Sequence, residues 1–151
     1  AMNIEELIAE RQIYIKIVGF ARAMDDRNWE ALDEITRDDI NFDLGAGMMQ
    51  GRDALIENIR SFLDDCGPTQ HLLGNVLIDV IDDKASSKAY VSDLHVSANE
   101  ESDQTFSTLG DYHDEWQKMG NEWFMIKRVK QNHAFIGSWE VLGSGPDGWH
   151  L

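Results

Sequence analysis

Taking a proton from carbon needs a base held in a fixed orientation, and two side chains in this chain come up for that task, Asp25 and His71. Asp25 stands in the run Ala23-Met24-Asp25-Asp26-Arg27-Asn28-Trp29, one residue past the apolar Met24 and at the edge of a buried stripe that includes Ala21. His71 stands in Thr69-Gln70-His71-Leu72-Leu73-Gly74-Asn75, at the start of a long alternating segment. Its period-two companions are Leu73, Asn75, Leu77 and Asp79, whereas Leu72, Val76, Ile78 and Val80 form the more apolar face. Strict alternation therefore sets His71 on the wetter side. A bulge at Gly74 would flip the register and turn His71 inward together with Val76 and Ile78. An imidazole within hydrogen-bond reach of a carboxylate has its tautomer fixed and its charged form supported, which makes it a competent base without a metal.

Further candidates follow downstream. Tyr90, His95, Tyr112, His113, Asp114 and Trp116 fall on the middle strands, with Gly110, Tyr112, Asp114 and Trp116 sharing one face. If that face is concave, Tyr112 and Trp116 line a cavity; if convex, they build an outer contact surface. Asn75 is a further pocket candidate, and His133, near the end of the last strand, could reach the pocket rim. The histidines do not fall at metal-site spacings, so no metal or other cofactor is expected. Gly45-Ala46-Gly47 lacks the strand-to-helix setting of a phosphate cradle. Cys66, beside Asp64 and Asp65, lacks the positive surroundings that activate a thiol.

The elements that must position these groups can be read from periodicity. Apolar residues from Ile4 to Met24 recur at helical steps, which predicts a long first helix over Asn3 to Asp26. Asn28 is expected to cap a second, short helix with Trp29, Leu32 and Ile35 inward, and Thr36 to Asp39 breaks the pattern. Ile40, Phe42 and Leu44 alternate as a strand, glycines 45, 47 and 51 surround a second short strand at Met48 and Met49, and a third helix runs from about Asp53 to Leu63. Four long strands are predicted after Pro68, over 69–81, 88–97, 106–118 and 123–135. Helices first and a strand meander second is the order of an α+β domain whose curved antiparallel sheet encloses a pocket against its helices.

Length and charge limit the options. The 151 residues favour one domain, read as residues 2–137, followed by a tail over 138–151 in which Gly143 to Trp149 is either disordered or a lid over the pocket, its turn-formers favouring disorder. With 13 Lys and Arg against 28 Asp and Glu, the formal charge is −15, a field that repels nucleic acid and anionic membranes and favours a neutral substrate. The longest apolar stretches, interrupted by Lys16 and Arg22, fall short of the roughly 18 residues of a membrane span. A soluble protein of a reducing cytoplasm is the expectation from one cysteine and an N-terminus without a basic-then-apolar segment; Ala1 reads as a cloning remnant.

From Ile4 to Phe135 the chain resembles the SnoaL-like branch of the NTF2-like superfamily. The markers are Met24 to Leu32, Gly51-Arg52-Asp53-Ala54-Leu55, Gln70-His71 with Asn75, and Gly110-Asp111-Tyr112-His113-Asp114 leading to Trp123. The resemblance implies a cone-shaped α+β fold. It extends to the lyase group of scytalone dehydratase, bile-acid 7α-dehydratase and hexachlorocyclohexane dehydrochlorinase, in which an Asp ending the first helix and a His on the strand after the third helix form a dyad. By position these are Asp25 and His71. Where the dehydratases tend to place a tyrosine, this chain has Phe20, and the scytalone enzyme's second histidine has no clean equivalent, though His95 and His113 are near. The expected activity is a cofactor-independent lyase or isomerase acting on a small, largely apolar or aromatic molecule, with Asn75, Tyr112, Trp116, Phe20 and His133 as substrate contacts. The competing readings are a ligand-binding or assembly module and the small subunit of a ring-hydroxylating oxygenase. A homodimer or homotrimer is expected.

Overall fold

The computed structural model describes residues 2–146. Helix α1 spans Ile4–Asp26, and Asn3 caps it by accepting the Glu6 N–H at 2.8 Å. Its buried stripe begins at Ala9 and Ile13; Ile4, Leu7 and Ile8, which continue the same periodicity, are exposed. The helix ends at Arg27 in the left-handed region, φ 55. A 3-10 turn over Trp29–Glu34 replaces the expected second helix, and β1, Thr36–Asp43, starts within the stretch where the sequence pattern breaks. The short β2, Met49–Gln50, and α2, Arg52–Leu63, follow.

The rest is a meander of β3, Cys66–Ile81; β4, Lys84–Ser97; β5, Thr105–Met119; and β6, Glu122–Gly137. The six strands form one sheet in the order β2-β1-β6-β5-β4-β3. It departs from the expected antiparallel sheet at one place, since β1 runs parallel to β6. Thr36 is the reason β1 begins early: its backbone pairs with Met125 of β6, a long-range partner that no local pattern reveals.

Three bulges decide what faces the helices. In β3 the register steps from Gly74↔Tyr90 to Leu77↔Lys88, so β3 carries one extra residue, and Asn75 takes a φ of 51 there. Before the step His71 and Leu73 turn inward; after it Val76, Ile78 and Val80 do. Two more steps lie between β5 and β6, at Leu109/Gly110 and Glu115/Trp116. The sheet packs over α1 and α2 around Ile13, Ile17, Phe20, Leu32, Phe42, Leu55, Trp116, Trp123 and Met125. A second cluster of Phe106, Val141 and Leu142 belongs to a 3-10 turn at Trp139–Leu142. Val141 and Leu142 of this turn pack on Phe106 ahead of the stretch that starts at Gly143, and residues 147–151 lie outside the described residues. Among the described residues no helix is long and apolar enough to cross a membrane.

Candidate active site

Asp25 and His71 meet where the end of α1 crosses the start of β3. Arg27 ties the two elements together: its guanidinium donates to Met24 O at 2.8 Å, Thr69 Oγ1 at 2.7 Å and Gly67 O at 3.0 Å. Thr69 in turn donates its hydroxyl to Asp25 Oδ1 at 3.0 Å. The His71 backbone N–H donates to Asp25 Oδ2 at 3.0 Å, and the ring Nδ1 lies 2.6 Å from Oδ1. A carboxylate only accepts, so Nδ1 is the ring nitrogen that donates to it. Burial alone would push the Asp25 carboxyl up, but the hydrogen bonds from His71, the ring's charge and the Thr69 hydroxyl outweigh it and hold the group below the usual carboxylate range.

His71 lines a pocket with a cavity volume of about 50 Å³ between the sheet, α2 and the C-terminal turn. Met24, Ile59, Phe62, Leu63, Phe106 and Leu142 make most of its wall apolar. Such an apolar wall favours a small, poorly hydrated molecule. Its polar side is a second cluster on β4, β5 and β6. Asp93 Oδ1 accepts the Thr108 N–H at 2.6 Å, and Oδ2 accepts the Thr108 hydroxyl at 2.6 Å and the Lys130 ammonium at 2.8 Å. Burial pushes the Asp93 carboxyl up, and the Lys130 charge, His95 and these hydrogen bonds more than reverse it. The His95 ring sits edge-on to His71, centroids 5.8 Å apart, and its Nδ1 bonds Phe106 O at 2.9 Å. Burial lowers the basicity of His95 and outweighs Asp93 and the Phe106 carbonyl, which favour the charged ring.

His71, Asp93 and His95 each offer one ligand atom within 4.8 Å of the others, so they are the group to test against a metal. They fit poorly. Both Asp93 oxygens are already bonded, and a divalent cation there would confront the Lys130 ammonium, itself 2.8 Å from Oδ2. Cys66 is equally unsuited to chemistry. Burial pushes its thiol up to about 11 in spite of Arg27, and Sγ bonds the carbonyls of Phe62 and Val141.

Among the remaining sequence candidates, Tyr112 lines the cavity, which settles its face of β5 as concave. Trp116 shares that face but lies in the core and not on the cavity, its indole N–H donating to Ser87 Oγ at 2.8 Å. Phe20 is core as well, packed against the Arg128 guanidinium at 4.3 Å. Asn75 is exposed, because it is the extra residue of the β3 bulge. His133 is also exposed and turns to the outer face near Asp111, since the β6 bulges set Arg128, Lys130 and Asn132 inward instead. Asp93, Thr108, Lys130 and Asn132 are the cavity residues that sequence reasoning missed. The buried pair Arg128–Asp114, bidentate at 2.8 and 2.9 Å with the Tyr112 ring 3.8 Å from the guanidinium, braces the concave face beside them.

A helix-lined, sharply curved sheet closed around a cavity with one oriented imidazole defines the class of the NTF2-like α+β cones. The pattern of the SnoaL-like domain matches residues 5–129, and the chain belongs to that family. No protein of curated function matches the sequence. Solved structures share the fold at low identity. A proposed scytalone dehydratase from Novosphingobium aromaticivorans is 20% identical, with 97% of this chain and 98% of that one covered at a TM-score of 0.81. The type 3 hexachlorocyclohexane dehydrochlorinase of Novosphingobium barchaimii is 17% identical over 96% and 100%, TM-score 0.79. A proposed aromatic ring hydroxylase from Novosphingobium aromaticivorans is 21% identical over 94% and 99%, TM-score 0.75.

Proposed function

We propose that this protein is a lyase or isomerase that acts on a small, largely apolar or aromatic molecule, with His71 as the base and Asp25 as the residue that orients it. The observation that carries this reading is the 2.6 Å contact between Nδ1 and Asp25 Oδ1, on a ring that lines a mostly apolar cavity. Nε2 takes a proton from an acidified carbon, and the C–H electron pair becomes the new C=C bond. In an elimination the leaving group departs with its own bonding pair; in an isomerisation the imidazolium returns the proton at another carbon. Asp25 stabilises the imidazolium in between. Oriented general bases contribute about 10²- to 10⁴-fold, and the dry cavity strengthens the electrostatic support.

The experiment is an NMR measurement of the His71 ring combined with a screen of elimination and isomerisation substrates. A downfield Nδ1 proton in the wild type that disappears in Asp25→Asn, with turnover of at least one substrate lost in His71→Gln, is the expected result. An unaltered ring signal in Asp25→Asn overturns the reading.

We also propose that a second copy of the chain covers the outer face of the sheet. Leu72 and Leu109 flank Ser92 from either side in register, and with Tyr90 and Leu94 they form an exposed apolar group. Light scattering is expected to give a dimer or trimer, and Leu72→Lys with Leu109→Lys is expected to give a monomer; a monomeric wild type overturns this.

A further inference from the structure

The β4–β6 wall of the cavity, beside the base, carries polar capacity that the His71 reaction, as described, does not use. Lys130 has three N–H bonds and commits two, to Asp93 Oδ2 at 2.8 Å and Thr108 Oγ1 at 2.9 Å. The Thr108 hydroxyl is itself committed to Asp93. Asn132, on the same cavity, has a buried Oδ1 without a hydrogen-bond partner. A buried amide oxygen left bare costs free energy that a ligand can recover.

The fold brings these two groups together on purpose-made backbone. Lys130 and Asn132 leave the inward face of β6 two positions apart, and Asn132 is paired in register with Gly110 of β5. The lysine stem folds back over that glycine, where an added Cβ would lie 2.6 Å from Lys130 Cε. Any other residue at 110 would therefore displace the lysine stem. The outcome is a spare donor and a spare acceptor on one patch of wall, and the group complementary to both is a hydroxyl, which accepts from one and donates to the other. A halide could use the ammonium but would leave the amide oxygen bare.

We propose that Lys130 and Asn132 seat a hydroxyl of the substrate, the group that leaves when His71 takes the neighbouring C–H proton; the leaving role rests on His71 being the base. The C–H pair becomes the C=C bond, and the C–O pair stays with the oxygen, which takes a proton from Lys130 Nζ and departs as water. His71 then releases its proton to solvent and Lys130 regains one, so the net change is alcohol to alkene plus water.

The test compares phenol with chlorobenzene, similar in size, as calorimetric ligands of the full chain. The wild type is expected to bind phenol about tenfold more tightly or better, roughly the worth of one charge-assisted hydrogen bond, although chlorobenzene is the more apolar. Lys130→Met combined with Asp93→Asn, which leaves no unpaired buried charge, and separately Asn132→Leu, which leaves the ion pair intact, are each expected to bring the ratio within about threefold. Equal binding or no binding of the two ligands by the wild type, or a ratio that survives in either variant, overturns the proposal. The base assignment is judged separately by the Nδ1 proton in Asp25→Asn, so a phenol preference without that signal leaves the hydroxyl seat standing and removes only its leaving role.

Discussion

Two carboxylates meet two imidazoles whose rings lie edge-on with centroids 5.8 Å apart, and they do different work. On the α1–β3 side Asp25 bonds the ring of His71 directly, at 2.6 Å, and 19% of its side chain remains exposed. On the β4–β6 side Asp93 is 1% exposed and spends both oxygens on Thr108 and Lys130, with His95 Nδ1 bonded to a backbone carbonyl instead. The first arrangement rewards a ring that gains a proton. The second holds a neutral ring and a fixed ammonium. The same residue types thus become a base on one side and a binding wall on the other, depending on which groups donate hydrogen bonds to the carboxylate.

If that contrast is right, the largest effect falls on turnover at the first site. Once a substrate is in hand, His71→Gln is expected to lower kcat by about 10²- to 10⁴-fold with the circular-dichroism spectrum unchanged. Stability shows the opposite ranking. Lys130→Met strands a buried carboxylate and is expected to cost about 3–5 kcal/mol in urea unfolding, most of it recovered by adding Asp93→Asn. Asp25→Asn, at a partly exposed site, is expected to cost only about 1–2 kcal/mol. Equal losses at the two sites would erase the distinction between them.

A smaller effect is expected with pH. The folded state lowers His95 below its ordinary 6.5, so an unfolded chain binds this proton first as pH falls. The stability tied to the neutral ring is complete above about 6.5 and declines as pH falls through the lower folded value. Asp25 and Asp93, both lowered from 3.8, add a second decline that starts below that value. Thermal melting between pH 8 and 3 should show both legs, and His95→Gln should remove the upper one. The smallest effect is at the bulge. Asn75→Gly, at φ 51, is expected to change stability by less than about 1 kcal/mol, whereas Asn75→Val is expected to destabilise and to disturb the His71 ring signal.

These sites were unequally legible in advance. The end of α1, the start of β3 and the bulge that turns His71 inward lie within short stretches, where helix period, strand alternation and one glycine carry the signal. On β4 and β5 alternation holds without interruption on the strands themselves, so Tyr112 could be placed on a shared face with Gly110, Asp114 and Trp116. On β6 it fails. Counting by twos from Trp123 selects His133, but the register step opposite Glu115/Trp116 moves the inward positions to Arg128, Lys130 and Asn132, and the step opposite Leu109/Gly110 leaves His133 as the extra residue. Nothing within the strand announces those steps.

The sequence by itself determined the α+β order of elements, the long helix that carries Asp25 near its end, the break in alternation near Gly74 after His71, and the acidic composition. Only the tertiary structure decided which β6 residues look inward, that Trp116 and Phe20 build core rather than cavity wall, that Leu142 closes the pocket, and that Lys130 reaches Asp93. The reason is the range of the forces involved. Helical and strand periods are set by neighbouring residues, whereas sheet register and the pairing of Asp93, Thr108 and Lys130 are settled between strands far apart in the chain, where one extra residue exchanges the faces.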